Sequence, residues 1–220
     1  MKLNQKIIKQ LEKEAKKFFV GASGCHDWTH VERVRNLAMV IGRKEKADLN
    51  ILTAACLLHD IGRKEEMESR GKICHAEKGA ELSAAILRKY SIDQDIVDNI
   101  LHCIISHRYR NNNTPKTLEA KILFDADKLD SIGAVGIGRD FLFAGYLRNA
   151  LYTGNEKKIS RLKKDQAYTP EDTAILEYEF KLKNVKNKII TKTGKIIAKD
   201  RHDFMTSYFQ RFWQEVKGIK

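Results

Sequence analysis

An all-α fold is what this chain predicts, on three observations. Of 220 residues only 2 are proline, and both fall in connecting segments. Alanine, leucine, isoleucine, lysine and glutamate are abundant, a composition that suits helices. Apolar residues also return every three or four positions, which places them on one face of a helix. Hydrophobic residues make up 42% of the chain, enough for one well-buried domain at this length. No repeat, low-complexity tract or linker divides it, so residues 1–220 are expected to form a single domain.

The elements follow in order. Leu3, Ile7, Ile8, Leu11, Ala15, Phe18 and Phe19 mark a first helix, broken by GASGC at 21–25. A second runs from His30 to about Lys46, with Val31, Val34, Leu37, Ala38 and Ile41 on one face. Residues 49–60 form a third, greasier helix that Gly62 ends. A fourth spans about 75–90. A fifth carries Ile96, Ile100, Leu101, Ile104 and Ile105 and stops near His107. After the loop NNNTPK, a sixth covers about 117–129. The run GAVGIGR at 133–139 lacks the preceding strand and Lys-Ser/Thr ending of a phosphate-binding loop, and it reads as a turn. Further helices are expected at 139–153, 170–188 and 199–217. In the last, Phe204, Tyr208, Phe209, Phe212 and Val216 form a stripe best read as core.

The formal charge is +12, from 41 basic and 29 acidic residues. Such an excess attracts polyanions without choosing among nucleic acid, anionic membrane and phosphorylated small molecules. Much of it lies at 181–201, where a solvated lysine-rich surface explains it. Cys25, Cys56, Cys74 and Cys103 are scattered with no C-x-x-C pair, which disfavours a structural zinc knuckle. No apolar run approaches the ~20 residues that cross a bilayer. A cytoplasmic location with free thiols is therefore expected.

The chemistry gathers around the histidines. His26 and His30 stand four apart in HDWTHVERV. His59 and Asp60 end the apolar run AACLL. His75 opens HAEKGAELS, His107 closes CIISH, and Asp127 interrupts apolar residues in FDADKLD. A buried ionisable group is costly unless it is paired or holds a metal. Imidazoles and carboxylates on separate helices make a mixed nitrogen and oxygen set, suited to Mn²⁺, Fe²⁺, Co²⁺, Ni²⁺ or Zn²⁺ rather than Ca²⁺. His59 and Asp60 are adjacent, so their side chains diverge by about 100° on a regular helix. Both can reach one ion at the helix's C-terminal end, whose partial negative charge favours a cation.

This pattern resembles the HD-domain phosphohydrolase superfamily. The H-x-x-R-V element is His30 to Val34, the H-D-[IL]-G element is His59-Asp60-Ile61-Gly62, and the later aspartate is Asp127. The likeness covers about residues 20–145, and the remainder, about 146–220, reads as a C-terminal helical extension that looks like the small single-domain branch. The resemblance implies a helical bundle in which His30, His59, Asp60 and Asp127 bind one divalent ion, manganese first, with magnesium, iron, cobalt, nickel or zinc as alternatives. It also implies hydrolysis of a nucleotide. Metal-bound hydroxide would attack phosphorus, with nucleoside triphosphate giving monophosphate plus diphosphate as the first choice. A 5′-nucleotidase and a cyclic-nucleotide phosphodiesterase are the alternatives.

Around that set, Asp60 and His26 are the catalytic candidates, His26 as proton donor to the leaving phosphate or else as a helix cap. His75 and His107 resemble histidines of the cyclic-dinucleotide phosphodiesterase branch, and they read either as phosphate contacts or as ordinary helix-face residues. That branch's H-P pair, doubled histidine with glutamate and G-Y-P element are absent here, which disfavours both a two-metal site and a cyclic-dinucleotide substrate. Arg63 and Lys128, beside expected ligands, are the favoured phosphate clamps. A nucleotide sensor without turnover is a rival, and a nuclease or nucleic-acid binder ranks last. A nucleotide or another phosphorylated small molecule is the expected partner, with no membrane and a homodimer possible.

Overall fold

The structure, a computed structural model, describes residues 2–22, 25–108, 113–162, 166 and 169–220. Its elements among these residues are helices, with no strand. The chain divides into two compact units: Met1–Asp127 with Ile190–Gly194, and Lys128–Ile189 with Lys195–Lys220. The division falls inside a helix at Asp127, well before the expected start of a C-terminal extension near 146.

In the first unit, α1 (Gln5–Lys16) begins where the Asn4 side chain accepts from the Ile7 amide. Asp27 caps α2 (Trp28–Glu45) and Asp48 caps α3 (Leu49–Leu58) in the same manner. Each cap satisfies an amide that the first helical turn leaves without a partner. Helix α3 is the centre of this unit. Ile51, Leu52, Ala54, Ala55, Cys56, Leu57 and Leu58 are all buried, and α1, α2 and α6 (Gln94–Ser106) pack around them. A helix apolar on every side must be enclosed by others. Burial pushes the Cys103 thiol up to about 12 and that of Cys56 higher still, so both act as small core residues. A short α4 (Arg63–Glu68) and then α5 (His75–Leu87) pack beside each other, and α7 (Leu118–Asp130) carries Asp127.

In the second unit, α8 (Gly133–Tyr146), α9 (Glu156–Arg161) and α10 (Ala174–Phe180) precede a 3-10 helix at Leu182–Lys188 and the long α11 (Lys192–Val216). The aromatic stripe of α11 is core only at Phe209, against the expectation for the whole stripe: Phe209 stacks on Tyr178 at 4.1 Å, and Phe141 touches Tyr208, Phe209 and Phe212. Phe204, Tyr208 and Val216 are exposed and Phe212 is half-buried, because the long helix turns part of that face to solvent.

Several expectations are corrected. GAVGIGR is not a turn but the start of α8. Gly133 makes the turn with φ +81°, and the helix then runs through Gly136. A side chain at Gly136 would stand 2.3 Å from the Ser131 carbonyl oxygen, so that glycine is demanded by contact rather than by flexibility. Helix α11 starts at Lys192, not near 199, because the Thr191 hydroxyl accepts from the Gly194 amide and caps it. The expected 170–188 helix is a short α10 followed by a 3-10 segment. Helices α4 and α9, six residues each, are too short to show a period.

Candidate metal centre

All the titratable residues gathered here belong to the first unit. Helix α3 ends at Leu58 with His59 as its cap, and the chain turns through Asp60 and Ile61 to Gly62. Gly62 is needed for closeness: a Cβ there would lie 2.6 Å from both the Gly79 amide nitrogen and the His75 carbonyl oxygen. Gly79 in turn faces the His59 carbonyl, at 3.2 Å from an added Cβ. The two glycines let α5 seat its first turn directly on the His-Asp turn. This contact brings His75, the first residue of α5, to the site. His30 comes from the first turn of α2, His107 caps the end of α6, and Asp127 points from α7. His26 precedes α2, whose cap is Asp27, so the cap reading of His26 fails. It nevertheless reaches the site.

Asp60 is the hub. Its Oδ2 lies 3.5 Å from His30 Nε2, 3.9 Å from His59 Nε2 and 3.9 Å from His26 Nδ1. Its Oδ1 lies 3.3 Å from His75 Nε2 and 3.6 Å from His107 Nε2. His30 Nε2 is also 3.3 Å from His59 Nε2 and 3.4 Å from Asp127 Oδ1. Ligand atoms held about 2.1 Å from a cation stand about 3 Å apart when they meet at right angles. The ligand atoms of His30, His59 and Asp127 lie within 4.8 Å of one another, as do those of His26, His30 and Asp60, so His30 is shared by two groups of metal-capable spacing. Asp60, His75 and His107 form a further group of the same kind, with His75 Nε2 and His107 Nε2 3.0 Å apart.

Hydrogen bonds fix which nitrogens are offered. His59 Nδ1 donates to the Cys56 carbonyl at 2.8 Å, and His107 Nδ1 to that of Ile104 at 2.6 Å. His75 Nδ1 donates to Glu66 Oε2 at 2.7 Å. In the neutral ring the opposite Nε2 then carries a lone pair, the form that binds metals. Burial lowers His59 to about 4, with the Asp60 carboxylate opposing. Burial and then the Arg63 charge lower His75 to about 3. Both rings are neutral at neutral pH. Burial alone would raise Asp60, but Arg63 first, then His59 and His75, hold it well below the ordinary carboxylate range. The result is a buried carboxylate ringed by nitrogen lone pairs, a donor set for a divalent cation.

The remaining sequence candidates fall in different places. Arg63 is committed to carboxylates: its Nη2 donates to both oxygens of Asp60 at 3.0 Å, and its Nη1 to Glu66 Oε2 at 2.7 Å. Lys128 is half-buried and follows Asp127 on α7, in the second unit. The residue missed from sequence is Glu66, 2% exposed, which also accepts from Arg108. Nothing in RKEEME distinguishes Glu66 from Glu65, and only the fold turns one inward.

Comparison with known proteins places this geometry. Residues 27–132 match the HD domain family. The chain is 31% identical to the uncharacterised protein YpgQ of Bacillus subtilis, over 97% of this chain and 96% of that one. The crystal structure of Bacillus subtilis YpgQ in complex with ADP superposes with a TM-score of 0.71 at 28% identity, covering 96% of this chain and 95% of that one. An HD-superfamily hydrolase of Bacillus thuringiensis gives 0.71 at 25% identity, covering 97% and 98%. The matched segment spans the α2, His-Asp and Asp127 elements around Asp60. The chain belongs to the HD-domain phosphohydrolase superfamily and is a metal-dependent hydrolase.

Proposed function

We propose that this protein hydrolyses nucleoside triphosphates to monophosphate and diphosphate. One observation carries the reading: a full-length relative, YpgQ, holds ADP in its crystal structure, and this chain gathers a His/Asp cation-binding set on the same fold. His30, His59, Asp60 and Asp127 would hold one divalent ion, for which manganese suits the mixed donors. Such an ion supplies a Lewis acid for a phosphoryl oxygen and makes water a better nucleophile near neutral pH. In the reaction an oxygen–phosphorus bond forms to water and the bond to the leaving diphosphate breaks. His26, whose side chain is 23% exposed and lies against Asp60, delivers a proton to the leaving oxygen. Asp60 orients the site, and Arg63 and Lys128 offset phosphate charge. In this reading the nucleotide is the partner, and His75 and His107 border its phosphates.

A specific observation favours a second reading of those two histidines. Their Nε2 atoms lie 3.0 Å apart beside Asp60 Oδ1, while each Nδ1 is turned to its own oxygen acceptor. Asp60, His75 and His107 would hold a second cation there, adding a further Lewis acid beside the phosphates.

A nucleotide panel with Mn²⁺, Mg²⁺, Co²⁺ and Ni²⁺, resolving phosphate from diphosphate, tests the function. Diphosphate from triphosphates, lost in Asp60→Ala, supports it. Phosphate from monophosphates alone moves the reading to a 5′-nucleotidase. Metal-dependent nucleotide binding without turnover moves it to a sensor. Two Mn²⁺ per chain by calorimetry, reduced to one in His107→Ala, would establish the second ion.

A further inference from the structure

Glu66 is a deeply buried carboxylate beside Asp60 that the metal set does not use. It sits on α4, three residues after Arg63, and the fold seals it at 2% exposure. A carboxylate taken out of water needs partners that replace its hydration, and Glu66 has three. His75 Nδ1 and Arg63 Nη1 each stand 2.7 Å from Oε2, and Arg108 donates to Oε1. Arg108 Nη1 also lies 3.0 Å from His75 Nδ1. That arginine N–H favours the opposite tautomer of His75, so the Glu66 carboxylate, which can only accept, must outweigh it to keep the proton on Nδ1. Burial alone would raise the Glu66 acid, but the His75 hydrogen bond and then the Arg63 charge hold it to about 2, so it is ionised.

Two routes lead from this one carboxylate to Asp60. Through His75, the hydrogen bond at Nδ1 decides that Nε2, 3.3 Å from Asp60 Oδ1, is the unprotonated nitrogen. Through Arg63, the same guanidinium that binds Glu66 grips both oxygens of Asp60. We propose that Glu66 is a positioning residue: its carboxylate fixes His75 in the Nδ1–H form and anchors the Arg63 fork, so that the Asp60 carboxylate and the His75 Nε2 are held ready for a cation. The metal-affinity consequence rests on the reading of the Asp60 cluster as the metal centre. The tautomer does not. A carboxylate behind a ligand imidazole typically contributes about 10- to 100-fold in metal affinity.

The first measurement uses ¹⁵N-labelled, metal-free, full-length protein. Its imidazole two-bond correlations report the tautomer of each histidine, and His75→Gln assigns the signal. An Nδ1–H pattern for His75 is expected, and an Nε2–H pattern overturns the proposal. The second is Mn²⁺ affinity by calorimetry in Glu66→Gln, expected to fall about 10- to 100-fold, with part recovered in Glu66→Asp, which keeps the charge. Wild-type affinity in folded Glu66→Gln overturns the proposal. Should Glu66→Gln not fold, the wild-type spectrum and the Glu66→Asp affinity decide. If Asp60→Ala binds Mn²⁺ like wild type, the metal reading fails while the tautomer result stands, so the two failures are distinguishable.

Discussion

Asp60 and Asp125 are both fully buried carboxylates of the first unit, and they live by opposite means. Asp125 is met by neutral donors: the Ile190 amide at 2.8 Å, the Thr191 amide at 2.7 Å and the Thr191 hydroxyl at 2.6 Å. Its lone pairs are satisfied within the chain, and it pins residues 190–191 where the capping turn of α11 begins. Asp60 is met by one guanidinium and a ring of imidazole nitrogens, of which those of His59 and His75 are acceptors in the neutral form. The first carboxylate completes itself by folding and the second by binding. Burial alone therefore does not mark a functional acid, and the protonation state of its neighbours does.

The largest effect that separates them is in activity. Asp60→Ala is expected to cost at least ~100-fold in metal-dependent hydrolysis, more than losing one oriented outer partner of a ligand costs. Mn²⁺ should stabilise the wild type by RT ln(1 + [Mn²⁺]/Kd), about 2.7 kcal/mol at a hundredfold excess over Kd, and should leave Asp60→Ala unmoved in a melting experiment. Asp125→Ala should reverse the pattern. It leaves two amides and a hydroxyl without their acceptor, which costs about 3 kcal/mol or more in urea unfolding. Below its melting transition it should keep its Mn²⁺ affinity. If Asp125→Ala loses the metal and keeps its stability, the distinction collapses.

Next comes the contact that brings His75 to Asp60. Gly62→Ala forces a methyl against the backbone of α5, at 2.6 Å from two backbone atoms. Overpacking of this kind costs about 1–3 kcal/mol. Because the strain falls between Asp60 and His75, metal affinity should drop along with unfolding stability. Gly138→Ala, where an added Cβ meets nothing within 4 Å, is the control on an open helix face and should be neutral or stabilising.

The smallest effect concerns a third carboxylate, Asp140 of α8, which neither folding nor the proposed ion satisfies. Its Oδ2 is sealed from solvent with no hydrogen-bond partner among the described residues. Burial, then Glu177 and Asp172, push its acid well above the ordinary value, with Lys181 and Arg139 offsetting part. A raised folded-state value means that the folded form holds the proton more tightly. Asp140 therefore destabilises the protein progressively as pH rises from the ordinary carboxyl range through the raised one. Asp140→Asn should add about 1 kcal/mol near neutral pH and nothing at acid pH, read as the difference between two denaturation series.

The sequence was most legible where chemistry and period coincide. Helices α2, α3, α5, α6 and α7 follow from apolar spacing, because a buried face must repeat every 3.6 residues. His30, His59, Asp60 and Asp127 stood out because ionisable groups interrupting apolar runs need a reason. It was least legible in FDADKLD, where three aspartates share one helix. Asp125 pins the chain at 190–191, Asp127 faces His30, and Asp130 pairs with Arg139 at 2.8 Å. A helix sets the angles between these side chains, but not what waits at each angle.

By itself, then, the sequence determined that the protein is helical and that its histidines and aspartates form an HD-type set. Propensity, periodicity and residue chemistry are local properties, and they are written in order along the chain. Only the tertiary structure decided that Glu66 rather than Glu65 turns inward, that Arg63 grips Asp60, and that Gly62 and Gly79 exist to let two backbones meet. It also decided which imidazole nitrogen His59, His75 and His107 turn toward Asp60. Those facts depend on atoms distant in sequence, such as the carbonyl of Ile104 behind His107, and a carboxylate's role is set by the partners the fold places around it.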